Sequence, residues 1–213
     1  MKFTIVYDSE VARPELKADR GFSCLVEPAD GPGILLDTGA SGSVLRHNLE
    51  VLGIDARSIG TVVISHRHPD HTGGLEEMTR ANEDVEVCVP ESFMRGTAAR
   101  RVSIVRGPRE IRPGIFTTGE LSGVEQSLVV ATDGGPVVVV GCAHPGLGAI
   151  LRAAGGFGAV WGVIGGFHGF SDFGLLDSLS LVCPCHCTVY RAEMKERFGK
   201  RCVGGRVGTV IEL

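Results

Sequence analysis

Apolar residues along the chain gather in short runs separated by glycine, proline and charged residues, and the runs carry two periods. Lys2–Tyr7 alternates and is rich in β-formers, residues 21–27 follow, and Gly33–Leu36 comes after the turn residues Asp30-Gly31-Pro32, so the opening reads as strands. Within 42–52, Val44, Leu45, Leu49 and Leu52 fall at helical spacing, and Gly53 is placed to stop that helix. Residues 61–64 read as a short buried strand, 75–80 as a short helix, and 85–89 as a strand closed by Pro90. The least patterned stretch, 91–123, predicts a short helix over 92–99 and short strands at 102–105 and 115–118. Strands at 128–131 and Val137–Val140 flank Thr132-Asp133-Gly134-Gly135-Pro136, a hairpin signal. A helix over Leu147–Ala154, a buried strand over 159–164, a helix over 188–198 and a strand over 207–212 complete the series. Thr188 is the expected N-cap of the last helix and Gly199 its stop.

Strands dominate the first half as a meander, and strand–helix units follow in both halves. This pattern predicts an α/β (α+β) arrangement in which two mixed sheets pack face to face with helices outside, a four-layer αββα sandwich. With 213 residues, no linker and no short-period repeat, residues 1–213 read as a single domain.

Composition narrows the function. Hydrophobic residues make up 43% and charged residues 22%, the proportions of a folded globular chain, which excludes disorder. The 21 basic and 25 acidic residues are interspersed and sum to −4, with no basic stripe for nucleic acid and no polybasic segment for a membrane surface. No apolar stretch is long enough to span a bilayer, and Asp8 interrupts the opening run too early for a signal peptide, so a cytoplasmic location is expected. The seven cysteines, an odd number, suit reduced thiols.

The histidines carry the chemistry. Of seven, only His47 lies in a helical pattern; His66, His68, His71, His144, His168 and His186 sit in turns rich in Gly, Asp, Pro or Cys at the ends of apolar runs. In Thr61-Val62-Val63-Ile64-Ser65-His66-Arg67-His68-Pro69-Asp70-His71-Thr72-Gly73-Gly74 a buried strand ends and four potential ligands follow, with neutral imidazoles and a carboxylate suited to a divalent ion. Taken alone, His144 in Gly141-Cys142-Ala143-His144-Pro145-Gly146 reads equally as a helix cap, and Cys183, Cys185, His186 and Cys187 as a fragment of a zinc or iron–sulfur site. The three cysteines lack paired C-x-x-C spacing, which favours His186 as ligand and the cysteines, Cys142 included, as small packing residues.

The His-x-His-x-Asp-His run after a strand resembles the signature of the metallo-β-lactamase fold superfamily. Leu35-Leu36-Asp37-Thr38-Gly39, Gly141-Cys142-Ala143-His144 and Pro184-Cys185-His186-Cys187-Thr188 resemble its other motifs in the same order. With Gly21-Phe22-Ser23 and Ile164-Gly165-Gly166-Phe167-His168, the match is similar to the branch of metal-dependent hydrolases related to the dihydropterin–ribofuranosylaminobenzene phosphate synthase of methanopterin biosynthesis. The resemblance implies one or two divalent ions, zinc first, with iron or manganese as alternatives. It assigns His66, His68 and His144 to one ion, and Asp70, His71 and His186 to a second. The superfamily's bridging Asp has no counterpart in 164–168; His168 is the candidate substitute and Asp172 the runner-up. Without that carboxylate the site has one negative charge fewer to balance two cations. Asp37 is implied as an outer partner that orients histidines, against the plainer reading of a turn or cap residue. Asp8 and Glu125-Gln126 resemble residues of the branch with no role assigned.

The activity so implied is metal-assisted hydrolysis of an ester, phosphoester or amide bond in a small-molecule substrate, with a metal-bound hydroxide as nucleophile, Asp70 orienting it and taking its proton, and His168 donating to the developing charge. The rivals are an iron-dependent oxidoreductase on the same fold and a non-catalytic metal-binding module.

Overall fold

A computed structural model describes residues 1–93, 96–97 and 99–213. The chain forms strands β1 (Lys2–Tyr7), β2 (Ser23–Glu27), β3 (Gly33–Leu36), β4 (Ile59–Val63), β5 (Glu86–Pro90) and β6 (Arg101–Val105), then β7 (Arg109–Arg112), β8 (Ile115–Thr117), β9 (Leu128–Val130), β10 (Val137–Val140), β11 (Gly162–Gly166), β12 (Leu181–Cys185) and β13 (Val210–Glu212). The helices are α1 (Gly42–Val51), α2 (Pro69–Thr72), α3 (Leu75–Ala81), α4 (Leu147–Ala154) and α5 (Arg191–Phe198). One sheet runs β13-β1-β2-β3-β4-β5-β6 and the other β12-β11-β10-β9-β8-β7.

The alternation read from the sequence explains the layers. Phe3, Ile5, Val26, Ile34, Leu36, Val137, Val139, Ile164 and Cys183 point between the sheets and form the central core. The intervening residues face outward and bury the helices. Leu35, Val62 and Ile64 meet Leu45, Leu49, Leu75 and Met78 from α1 and α3; Val138, Val140, Val163 and Val182 meet Leu147, Ile150, Met194 and Phe198 from α4 and α5. Both faces of each sheet are thus covered, so the central strands are apolar throughout, and the αββα order stands. No helix among the described residues is long and apolar enough to cross a membrane.

Local departures from the expected elements are few. The helix expected at Thr188 begins at Arg191, because the Thr188 hydroxyl donates to the Cys185 carbonyl at 2.7 Å and accepts from the Phe167 N–H at 3.0 Å. The charged edge strand β7 was not evident from periodicity, whereas Cys183 and Cys185, whose spacing alternates as in a strand, do lie on β12. The helix expected over 92–99 runs through Met94, Arg95 and Ala98, outside the described residues.

What positions the site is the shared direction of strands. β3, β4 and β5 run parallel in one sheet, and β10, β11 and β12 run parallel in the other. The turns after β3, β4, β10, β11 and β12 hold Asp37, His66–His71, Cys142–His144, His168 and His186. Ligand sites of layered α/β proteins form beyond such carboxyl ends.

Candidate metal centre

All seven residues read as metal ligands meet at one end of the sandwich. Ligand atoms of His66, His68 and His144 lie within 4.8 Å of one another, and so do those of Asp70, His71 and His186. Neighbouring nitrogens in a tetrahedral zinc shell, with bonds of about 2.0–2.1 Å, stand about 3.3–3.4 Å apart. His66 Nε2 lies 3.0 Å from His68 Nδ1 and 3.2 Å from His144 Nε2. His168 stacks edge-on against His144, with ring centroids 4.6 Å apart, on the side of the first group. Asp172 belongs to neither group and starts a short 3-10 turn on the surface.

The tautomers follow from Asp37. Its Oδ2 accepts from His71 Nδ1 at 2.7 Å and from Ser65 Oγ at 2.6 Å, and its Oδ1 accepts the Ser65 N–H at 2.7 Å. The Ser65 oxygen then accepts from His66 Nδ1 at 2.9 Å. With both Nδ1 protons committed, His66 and His71 present Nε2 lone pairs to the site, the arrangement that outer-shell partners impose on metal-binding imidazoles. The donor set therefore fits divalent ions.

Four non-glycine residues hold left-handed backbone at the site: Asp37 (φ 59°), Ala143 (φ 59°), His168 (φ 47°) and His186 (φ 46°). Such positions persist only where surroundings fix them. Glu125, fully buried, accepts the backbone N–H of Cys142, Ala143 and His144 at 2.9, 3.1 and 2.9 Å and so holds the turn that aims His144. Next to it, Gln126 donates to the Ile64 carbonyl at 2.9 Å, which ties that turn to the His66 strand. Asp8 accepts the His186 N–H at 2.7 Å and is itself paired with Arg191. The His168 carbonyl accepts from the Val189 N–H at 2.9 Å. Close approach completes the frame: a Cβ on Gly141 would lie 2.2 Å from Ser65 Oγ, and one on Gly21 2.3 Å from the Asp70 carbonyl.

Electrostatics favour the neutral imidazole at His66, His144 and His186. Burial and neighbouring imidazoles push His66 far down; burial with His168, His68 and His71 brings His144 to about 4, and burial with His71, Arg20 and His168 brings His186 to about 4. Burial also pulls His71 down, but the Asp37 carboxylate outweighs it and raises the group above the ordinary histidine value. Burial raises Asp70, yet His71, a backbone N–H, His186 and Arg20 together hold it below the usual carboxylate range. Asp70 Oδ2 sits 3.4 Å from His186 Nε2 and 3.3 Å from Arg20 Nε.

The thiols divide. Cys183 and Cys185 pack in the central core, as their sequence pattern suggested. Cys142 does not: its Sγ lies 3.2 Å from His71 Nε2 and shares ligand-distance groups with His66, His144, His168 and His186. Cys187 joins it beside His186. The Cys187 thiol donates to the Cys142 carbonyl at 4.0 Å, and the neighbourhood of the two thiols raises Cys142 and lowers Cys187 to about 6. Ser9, Arg20, His68, Asp70, His144 and His168 are among the residues that open this cluster into a pocket of about 540 Å³.

Comparison with known proteins identifies the family and the fold. The profile of the Metallo-beta-lactamase superfamily matches residues 16–156. The 7,8-dihydropterin-6-methyl-4-(beta-D-ribofuranosyl)-aminobenzene-5'-phosphate synthase of Methanocaldococcus jannaschii is 26% identical across 90% of this chain and 88% of that protein. The Anti-Pycsar protein Apyc1 of Bacillus phage 010DV004 is 40% identical over 63 residues, 30% of this chain and 23% of that one. The crystal structure of Tm1679, described as a metal-dependent hydrolase of the beta-lactamase superfamily, superposes with a TM-score of 0.80 at 26% identity, covering 100% of this chain and 99% of that one. Bacillus subtilis YhfI, at 15% identity and a TM-score of 0.71 over 100% of this chain and 99% of its own, is alike in fold.

Proposed function

Because the chain belongs to the metallo-beta-lactamase superfamily, we propose that it is a metal-dependent hydrolase acting on an ester, phosphoester or amide bond of a small molecule. The observation that carries this reading is that two neighbouring ligand groups open together into one pocket with an ionised carboxylate at its wall. His66, His68 and His144 would hold one ion, and Asp70, His71 and His186 the other. When bound, zinc, iron or manganese supplies Lewis acidity and makes water a competent nucleophile near neutral pH.

The chain's own groups supply the rest. Asp70, set between His186 and Arg20, orients the attacking water and accepts its proton at Oδ2. His168, exposed across the pocket, donates a hydrogen bond to charge developing on the substrate oxygen. Arg20, with 83% of its side chain exposed, draws an anionic group to the pocket mouth. A volume of about 540 Å³ is that of a small-molecule site. The acidic balance without a basic stripe supports neither nucleic acid nor a membrane surface as partner, and is in keeping with a cytoplasmic enzyme. The synthase activity in the name of the archaeal relative stays with that protein.

The test is turnover of a panel of nitrophenyl esters, phosphodiesters and lactams by chelator-stripped protein before and after zinc, iron or manganese is returned. Hydrolysis that appears with metal supports the reading. Absence of turnover with every metal, or turnover indifferent to chelation, contradicts it.

A further inference from the structure

The site lacks the carboxylate that would sit between two cations, and His168 does not fill the gap. Its ring lies on the His144 side, grouped with Cys142 and His144 and with no member of the Asp70–His71–His186 group. A neutral imidazole brings no negative charge in any case. One atom does lie in common. Cys142 Sγ lies within 4.8 Å of ligand atoms of His66 and His71, of His144 and His168, and of His186 and Cys187, so it neighbours members of both metal groups. We propose that Cys142 Sγ is a metal ligand shared by the two ions and takes the place of the missing bridging carboxylate.

Three observations support the assignment. First, this sulfur is surrounded by imidazole nitrogens, the nearest 3.2 Å away, and by the Cys187 thiol, not by the purely apolar contacts that make a buried cysteine inert. Second, its backbone is fixed for the purpose. The N–H of Cys142 is one of the three gripped by Glu125, and the preceding Gly141 brings the strand end against Ser65, where any Cβ would collide. Third, His186, whose side chain is 5% exposed and whose Nδ1 has no hydrogen-bond partner among the described residues, belongs to the same group as Cys142 and Cys187. That group has donors to spare.

The chemistry is consistent. A thiolate carries the charge that imidazole lacks and has lone pairs for two cations. On coordination the thiol loses its proton to solvent, so the protonation of the thiols before metal binds does not decide which sulfur binds. A sulfur donor also favours zinc over the harder manganese at this site.

The inference rests on the metal-dependent reading above, and the experiment separates the two. The full-length protein, stripped with chelator, is loaded with cobalt(II) alone and its electronic absorption recorded, with bound metal counted by elemental analysis after dialysis. The expected result is a thiolate-to-cobalt charge-transfer band in the wild type that is lost in Cys142→Ser and Cys142→Ala and kept in Cys187→Ala, with a loss of roughly tenfold or more in affinity for the second ion. Should the Cys142 variants fail to fold, zinc-edge X-ray absorption of wild type and Cys187→Ala reads the same fact directly, as a sulfur shell at about 2.3 Å. Metal bound without a sulfur signature, or a signature that disappears only with Cys187→Ala, overturns the proposal and leaves the hydrolase reading standing. No metal bound at all overturns both.

Discussion

Asp37 Oδ2 accepts the His71 Nδ1 proton at 2.7 Å with both side chains fully buried, and through Ser65 the same carboxylate sets the tautomer of His66. One residue thus orients a histidine in each metal group. Asn tolerates the left-handed backbone at position 37, so Asp37→Asn isolates the carboxylate's role. An amide has a single acceptor oxygen for the three donors that meet Asp37. Metal affinity should fall about 10–100-fold, and stability by about 1–3 kcal/mol for donors left unpaired. Competition with a chromophoric chelator and thermal unfolding measure the two effects.

Glu125 is expected to be the more costly loss. Glu125→Gln keeps one oxygen for the three N–H groups of the 142–144 turn and turns an NH2 toward a donor. We expect about 3 kcal/mol of destabilisation, which in a chain of this size lowers Tm by about 6–12 °C, together with weaker metal retention through His144. An unchanged Tm would show that the turn holds itself.

Asp70→Asn should leave folding nearly intact, because the carboxylate is partly exposed and its contacts are long. Activity on any substrate found in the panel should drop at least about 100-fold, the low end for a lost general base. Equal turnover in wild type and variant would remove Asp70 from its role.

Metal-free protein should lose stability in acid. His66, His144 and His186 have folded pKa values below the ordinary 6.5, so the unfolded chain binds more protons as pH falls through 6.5. Their contribution is present above that pH and is lost progressively toward about 4. His71, raised, acts in the opposite direction, but one group opposes three. Unfolding of chelator-treated protein at pH 7.5 and pH 5 should show the lower Tm at pH 5; a higher Tm at pH 5 would reverse the argument.

The sheets were legible because Lys2–Tyr7, Gly33–Leu36 and Val137–Val140 have both faces covered or alternate cleanly. The ligand candidates were legible because imidazoles in turns after apolar strands have little structural reason to be there. What the sequence concealed depends on parts of the chain that meet only in three dimensions. Glu125 has no local partner; its acceptors serve a turn 17–19 residues away. Cys142 reads as a small apolar residue until loops from both sheets surround it with nitrogens. Thr188 looks like a helix cap, yet its hydroxyl ties the turn after β11 to the end of β12. Arg109–Arg112 forms a strand despite its charges because it lies at a sheet edge, where charged side chains protect open hydrogen-bonding groups.

The most direct measurement is the metal content of the wild-type protein after zinc loading and dialysis, set beside His66→Ala and His186→Ala. The account expects one ion for each ligand group in the wild type and the loss of one in each variant, His66→Ala emptying the three-histidine group and His186→Ala the other. Wild-type protein that retains no zinc, or variants that retain as much as the wild type, would contradict it.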